Sequence, residues 1–316
     1  MSRIGLGTWA IGGWMWGGSD EKECVDTIVK AFQMGVNLID TAPVYGFGRS
    51  EGIVGKSIAQ INKREGLIVS TKCSLEWDDN GKVHRNASKE RILSEVEHSL
   101  KRLQTDYVDI LFVHWPDTLV PFHETAEAMY SLFKSGKIRS IGVSNYNNEQ
   151  MDAFREVAPI HFSQPPYNLF EREIEQRHLP YCLENNIFLM TYGAICRGLL
   201  SGRMQEETVF EGDDLRKKDP KFQKPRYIQY LDAVKKLDEI AGNYNKSVIH
   251  LAARWILQQG VATALWGARK PQQLDVIKEI SGWKITHEDM KLIDDIINKT
   301  VKDPVGPEFM APPLRN

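Results

Sequence analysis

Val36-Asn37-Leu38-Ile39-Asp40-Thr41-Ala42-Pro43-Val44-Tyr45-Gly46-Phe47-Gly48-Arg49-Ser50-Glu51 passes from a short apolar run into a carboxylate, a proline turn, a phenol and a Gly-x-Gly loop. The pattern reads as a strand that delivers Asp40 and Tyr45 into the loop at its carboxyl end. Outward from it, seven further apolar runs of strand length lie at 3–7, 67–71, 107–113, 138–143, 161–164, 187–191 and 261–266. Amphipathic helical patterns separate them at 21–34, 50–60, 88–103, 125–134, 148–157 and 173–185, mostly opened by Ser, Asn or Asp at capping positions.

Eight strands, each followed by a helix, predict one α/β domain spanning residues 1–316, a (β/α)8 TIM barrel. An open doubly wound sheet is the alternative, but the Gly-x-Gly-x-x-Gly it needs after the first strand is absent. Gly12-Gly13 and Gly17-Gly18 fall instead in a Trp-rich loop. The barrel carries additions. A long charged loop, 197–226, follows the seventh strand, with helical patterns at 227–242 and 247–258. Two C-terminal helices at 271–280 and 286–298 precede an irregular tail.

Lys and Arg number 40 against 42 Asp and Glu, a net charge of -2, which leaves no field to draw the whole protein to nucleic acid or a membrane. A small-molecule partner is expected, and a monomer. The four cysteines form no Cys-x-x-Cys pair, which suits reduced thiols in the cytoplasm. Cys73 stands out because it follows a lysine that ends a strand. The first residues lack the apolar core of a signal peptide, and no stretch has the apolar length to span a bilayer. No histidine spacing suggests a metal site, and there is no Gly-x-Ser-x-Gly elbow.

In such a barrel the chemistry gathers where strands end. Asp40 ends the second run, Lys72 the third and His114 the fourth, with Tyr45 in the loop after Asp40. Each alone reads as a turn cap, a solvated charge or a satisfied polar group. Together at consecutive strand ends they make chemical sense. A Lys72 ammonium beside the phenol is expected to lower the pKa of Tyr45 from about 10, which makes Tyr45 a proton donor. Asp40 would hold Lys72, and His114 would donate to an oxygen gaining charge.

Ser144 and Asn145 end the fifth strand, Gln164 the sixth, and Tyr192 the seventh, a set suited to an amide held above a flat ring. After strand eight, Gly267-Ala268-Arg269-Lys270-Pro271-Gln272-Gln273 places cations at a helix start, where backbone N–H groups favour phosphate. Residues 216–221, Arg216-Lys217-Lys218-Asp219-Pro220-Lys221, read as a solvated loop.

Asp40-Thr41-Ala42-Pro43-Val44-Tyr45-Gly46, the strand-end Lys72, His114-Trp115-Pro116, Gly136-Lys137-Ile138-Arg139-Ser140-Ile141-Gly142-Val143-Ser144-Asn145 and Gly198-Leu199-Leu200-Ser201-Gly202 resemble the aldo-keto reductase superfamily along nearly the whole chain. The tail from Asp303 to Pro313 resembles the bacterial branch that includes general-stress and inositol-operon reductases. The resemblance implies an NADPH-dependent reducer of aldehydes and ketones with the tetrad Asp40, Tyr45, Lys72 and His114, Tyr45 being the general acid. It implies cofactor contacts at Thr8, Trp9, Ser144, Asn145, Gln164, Tyr192, Gly193, Ile195, Leu200, Gly202, Arg203, Gly267, Arg269 and Gln273. Gly193-Ala194-Ile195-Cys196-Arg197 departs from the family's usual Ser-Pro-Leu, and Arg197 is read as a phosphate ligand there. Trp14, Trp16, Trp77 and Trp115 fall in loops facing the mouth and are expected to line an aromatic substrate cleft. A cofactor-bound regulatory module with little turnover, like the potassium-channel β subunits of the same superfamily, is the alternative. The complete tetrad favours an enzyme.

Overall fold

The computed structural model describes residues 1–315. Eight parallel strands close into a barrel in the order β1 (Ile4–Gly7), β10 (Thr263–Gly267), β9 (Phe188–Thr191), β8 (Phe162–Gln164), β7 (Ile141–Ser144), β6 (Ile110–Val113), β3 (Ile68–Cys73) and β2 (Leu38–Asp40). All eight runs foreseen from the sequence are these strands.

Side chains alternate across each strand, so two-residue periodicity decides which residues meet inside. Leu38, Ile110, Phe112, Met190 and Leu265 fill the lumen as one cluster. The intervening residues, among them Ile39, Val69, Leu111 and Val143, pack outward against the helices in the main core. The same parity turns Asp40, Ser70, Lys72 and Gln164 inward above the luminal cluster, since each lies an even number of residues along its own strand from Leu38, Ile68 or Phe162. The barrel's carboxyl end is therefore polar by alternation alone.

The helices α1 (Glu21–Gln33), α2 (Arg49–Ile61), α3 (Lys89–Leu103), α4 (Phe122–Lys134), α5 (Asn148–Arg155), α6 (His178–Glu184), α7 (Arg226–Gly242), α8 (Val248–Gln258) and α9 (His287–Thr300) form the outer layer. Asp20, Ser88, Asn147 and Thr286 cap α1, α3, α5 and α9 through side-chain oxygens that accept first-turn N–H groups. The helix expected at 173–185 is a short 3-10 turn, Glu173–Glu175, followed by α6. Pro180 has no N–H for an i−4 bond, so it is tolerated only in the first turn of a helix that starts just before it. Residues Pro271–Glu279 are 3-10 rather than α.

Two features were not foreseen. Leu75–Trp77 (β4) and Val83–Arg85 (β5) form an antiparallel hairpin after β3, its turn held by Asp78, which accepts from the N–H groups of Asn80 and Lys82. The C-terminal tail lies along that hairpin: Arg85 donates from its backbone to Pro313 O and from Nε to Pro312 O. The expected solvated loop at 216–221 is a correction. Asp219 and Lys221 are buried, and the Arg216 guanidinium covers the rings of Trp16 and Phe210.

Candidate active site

A cleft of 670 Å³ opens at the carboxyl ends of the strands. At its floor Lys72 Nζ donates to Asp40 Oδ2 at 2.6 Å and to Thr41 O at 2.9 Å, with both side chains almost wholly buried. Asp40 Oδ1 also accepts from Ser70 Oγ at 2.7 Å and from Gln164 Nε2 at 3.0 Å. Burial pulls the Lys72 pKa down while Asp40 pushes it back. A buried pair of this kind is costly unless its remaining lone pairs are satisfied, and here Ser70 and Gln164 satisfy those of Asp40.

Tyr45 stands over this pair, its ring centroid 5.1 Å from Lys72 Nζ, stacked on Trp9 at 6.0 Å and edge-on to His114 at 5.8 Å. The loop that carries it is seated against the loop after β1, where a Cβ on Gly12 would come within 2.6 Å of the Tyr45 backbone. Gly46, at φ 66°, completes the turn. Behind it, Ser50 Oγ donates to Thr8 Oγ1 at 2.8 Å, Thr8 Oγ1 donates to Asp40 O at 2.8 Å, and Glu51 accepts from Thr71 and Arg102. Ser50 and Glu51 open α2 as the sequence suggests, and they also brace the floor of the site.

The expected lowering of the Tyr45 pKa is not what the site produces. Burial first, and the Asp40 charge second, hold the phenol well above its ordinary value of 10. Asp40 is the partner of the Lys72 charge, so the ammonium is not free to stabilise a phenolate. His114 is driven well below 6.5 by burial and by Lys72, so its imidazole is neutral. Cys73 lies on the other side of β3. Its Sγ meets Phe112 O at 3.5 Å and burial raises its thiol pKa, so its proximity to Lys72 in sequence places it away from the cleft.

The later strand ends contribute as their register requires. Ser144 Oγ donates to Gln164 O at 2.7 Å, Asn145 Nδ2 to His114 O at 2.9 Å, and Tyr192 OH to Asn145 Oδ1 at 2.9 Å. Gly193, Ile195 and Gly267 line the cleft beside them, as do Thr8 and Trp9. The two halves of the cleft differ in character. One carries Arg216, Lys218 and Arg269. The other is walled by Trp14, Val44, Leu75, Val83, Trp115, Met310, Pro312 and Pro313.

Several expected ligands sit elsewhere. Arg197 reaches the cleft wall, but its guanidinium is held between Glu171, at 2.7 Å, and Asp219, and Lys221 Nζ lies 2.9 Å from the same Glu171. Its charge is neutralised inside the protein, which removes the ground for reading it as a phosphate ligand. Leu200 is buried, and Gly202 and Arg203 are exposed beyond the cleft lining. Trp77 lies in β4 rather than in a loop and packs on Phe47 at 5.5 Å. Trp16 belongs to the cationic half: Arg216 covers its ring at 5.4 Å, and Arg269 donates to Trp16 O and Gly18 O. Gln273 Oε1 accepts from the backbone N–H groups of Arg269 and Lys270.

The sequence reading missed Leu215, Arg216, Lys218, Phe309, Met310, Pro312 and Pro313 as lining residues. Arg216 carried one usable signal, a cation in a long loop after strand seven of a barrel.

A buried ion pair, a protonated phenol and a neutral imidazole at the carboxyl mouth of a parallel barrel form a site able to give a proton to a bound oxygen. Sequence comparison specifies the class: the aldo/keto reductase family model matches residues 3–298, and the chain belongs to that family. It is 61% identical over 316 residues to the aldo-keto reductase YhdN of Bacillus subtilis, covering 99% of this chain and 95% of that one. It is 36% identical to the NADH-specific methylglyoxal reductase of Escherichia coli over 87% of this chain and 88% of the other. The structure of the glycerol dehydrogenase AKR11B4 from Gluconobacter oxydans superposes with a TM-score of 0.89 at 50% identity, covering 98% and 96% of the two chains. Two matched Klebsiella pneumoniae structures, each 27% identical with TM-scores of 0.72 and 0.73, hold NADP or NADPH.

Proposed function

We propose that this protein is an NADPH-dependent reductase that converts aldehydes and ketones to alcohols, as a monomer of the bacterial general-stress-like branch of its family. The observation that carries the reading is Tyr45, a phenol kept protonated by burial and donating no hydrogen bond to the described residues, between a cationic and an apolar half of one cleft. The cofactor fits the residues present. Trp16 Nε1 is a buried donor in the cleft wall that lacks a partner among the described residues, and it lies in the cationic half. Ser144, Asn145 and Gln164 would hold a carboxamide, the Tyr192 ring would lie under the nicotinamide, and Arg269 with Gln273 would take the adenosine end. When bound, NADPH supplies the hydride that a carbonyl carbon receives.

The chain's own groups do the rest. Tyr45 gives its proton to the carbonyl oxygen as negative charge builds there. Neutral His114 donates a ring N–H to the same oxygen, and the Lys72–Asp40 pair forms the floor that seats the phenol. A substrate without formal charge suits walls made of Trp14, Leu75, Trp115 and Met310.

The test is turnover. Purified protein with NADPH and a panel of aromatic and aliphatic aldehydes should consume cofactor, with NADPH preferred over NADH. Tight NADPH binding without oxidation across the panel would refute the reductase reading.

A further inference from the structure

The main chain of His114 is gripped from both sides. Its N–H donates to Cys73 O at 3.0 Å and to Ser74 Oγ at 3.1 Å, and its carbonyl accepts from Asn145 Nδ2 at 2.9 Å. His114 follows β6, whose two neighbours in the barrel are β3 and β7. Ser74 and Asn145 come immediately after those neighbours, and both are left-handed, at φ 77° and 61°. That region is sparsely populated by residues other than glycine and needs support from outside the residue.

At Asn145 the support is Tyr192 OH, which donates to Oδ1. At Ser74 it comes from behind the barrel. The left-handed turn aims the Ser74 N–H at α3, where Glu95 Oε2 accepts it at 3.0 Å. The second Glu95 oxygen accepts from Arg91 Nη2 at 2.8 Å, and that same nitrogen donates to Leu75 O at 2.9 Å. Glu95 is 2% exposed and does not line the cleft. An ionisable group is costly to bury. Packing alone would be served by an apolar side chain at this point of α3; the carboxyl group is held instead by two donors, Ser74 N–H on one oxygen and Arg91 on the other.

We propose that Glu95 is a positioning residue for carbonyl reduction: through Ser74 it fixes the backbone of His114 and so the reach of the imidazole toward the substrate oxygen. The proposal rests on the reading of His114 as donor to that oxygen. Ser74 is the intermediary, because its hydroxyl also donates to Trp115 O at 3.2 Å and ties down the residue after His114.

Three variants separate this role from a purely structural one. Ser74→Gly tolerates the positive φ and removes the hydroxymethyl side chain with its bonds to His114 N–H and Trp115 O. Glu95→Gln keeps an oxygen that accepts from Ser74 N–H, whereas Glu95→Leu removes it. The first readout is the 15N NMR spectrum of the His114 ring nitrogens without cofactor. Ser74→Gly and Glu95→Leu should shift and broaden these signals, while Glu95→Gln should leave them close to wild type. The second is steady-state reduction of an aldehyde by NADPH. Ser74→Gly and Glu95→Leu should lower kcat on the order of ten- to a hundredfold with KM for NADPH unchanged, and Glu95→Gln should restore most of kcat. An unaltered His114 spectrum in Ser74→Gly overturns the proposal, as does a kcat loss matched by an equal loss of NADPH affinity. If Glu95→Leu does not fold, Glu95→Asp, which draws the accepting oxygen back from Ser74 N–H, takes its place with the same expected losses, and a wild-type His114 spectrum and kcat in Glu95→Asp overturn the proposal. If wild type turns over no aldehyde, the reductase reading fails, and the ring spectra alone decide the positioning role.

Discussion

Replacing Tyr45 with Phe removes one oxygen from the centre of the cleft and little else. The ring keeps its stack on Trp9 at 6.0 Å and its edge contact with His114 at 5.8 Å. The lost hydroxyl donates to no described residue, so no partner is stranded, and folding stability should change by no more than about 0.5 kcal/mol. Catalysis should change far more. General acid transfer contributes about 10²- to 10⁴-fold, which is about 2.7–5.4 kcal/mol of barrier. The site offers no evident substitute, since His114 is neutral and Lys72 is committed to Asp40 and Thr41. The assay follows NADPH absorbance at saturating aldehyde, with cofactor affinity measured separately by fluorescence titration. Because burial and Asp40 hold the phenol pKa well above 10, wild-type Tyr45 remains protonated and the deficit should be flat from about pH 6 to about pH 9. A variant within a few-fold of wild-type kcat would refute Tyr45 as the proton donor. A deficit that shrinks toward the alkaline end, as wild type loses the proton that the variant never had, would refute the protonated phenol.

Lys72→Met leaves the Asp40 carboxylate buried without its cation and should cost about 3–5 kcal/mol in urea unfolding, part of it regained when Asp40→Asn is added; an unchanged midpoint would argue against a buried ion pair. Arg269→Ala should weaken NADPH about tenfold more than NADH in fluorescence titrations if its guanidinium reads the 2′-phosphate. Equal loss for both would assign Arg269 only to its observed bonds with Trp16 O and Gly18 O. His178, buried between Ser163 and Asn148, has its pKa lowered from 6.5 to about 4 by burial. The folded state then binds this proton more weakly than the unfolded chain. Stability from this group is level above pH 6.5, declines as the pH falls toward 4, and is about 2 kcal/mol lower at about pH 5. Urea titrations of wild type and His178→Gln should show the steeper decline in wild type, and equal slopes would contradict the assignment.

The barrel was legible because its signal is local and repeated: eight apolar runs, each with a helical pattern after it. The tetrad was legible because strand ends can be read from where such runs stop. What escaped were features whose evidence lies in pairing across the chain. The β4–β5 hairpin is two three-residue strands separated by Asp78-Asp79-Asn80-Gly81-Lys82, and only the turn is visible without the partner. The wall built by Phe309 to Pro313 depends on Arg85, more than 200 residues earlier. The Tyr45 pKa was misjudged for a related reason. Strand ends placed Lys72 beside the phenol and Asp40 against Lys72, but the burial that outweighs the ammonium at Tyr45 belongs to the folded cleft alone. Arg197 was misread likewise, since the carboxylates that hold it come from Glu171 and Asp219.

The bond from Gln164 Nε2 to Asp40 Oδ1 joins residues 124 apart in sequence, across the open end of the ring. Lys72, by contrast, is 32 residues from Asp40 and comes from the next strand of the barrel. The charge pair at the heart of the site can thus form early in the growing chain. Its last hydrogen bond waits for the second half of the barrel to arrive, and in that sense Asp40 is a buckle. Only a barrel that has drawn its two halves together presents the finished floor on which Tyr45 stands.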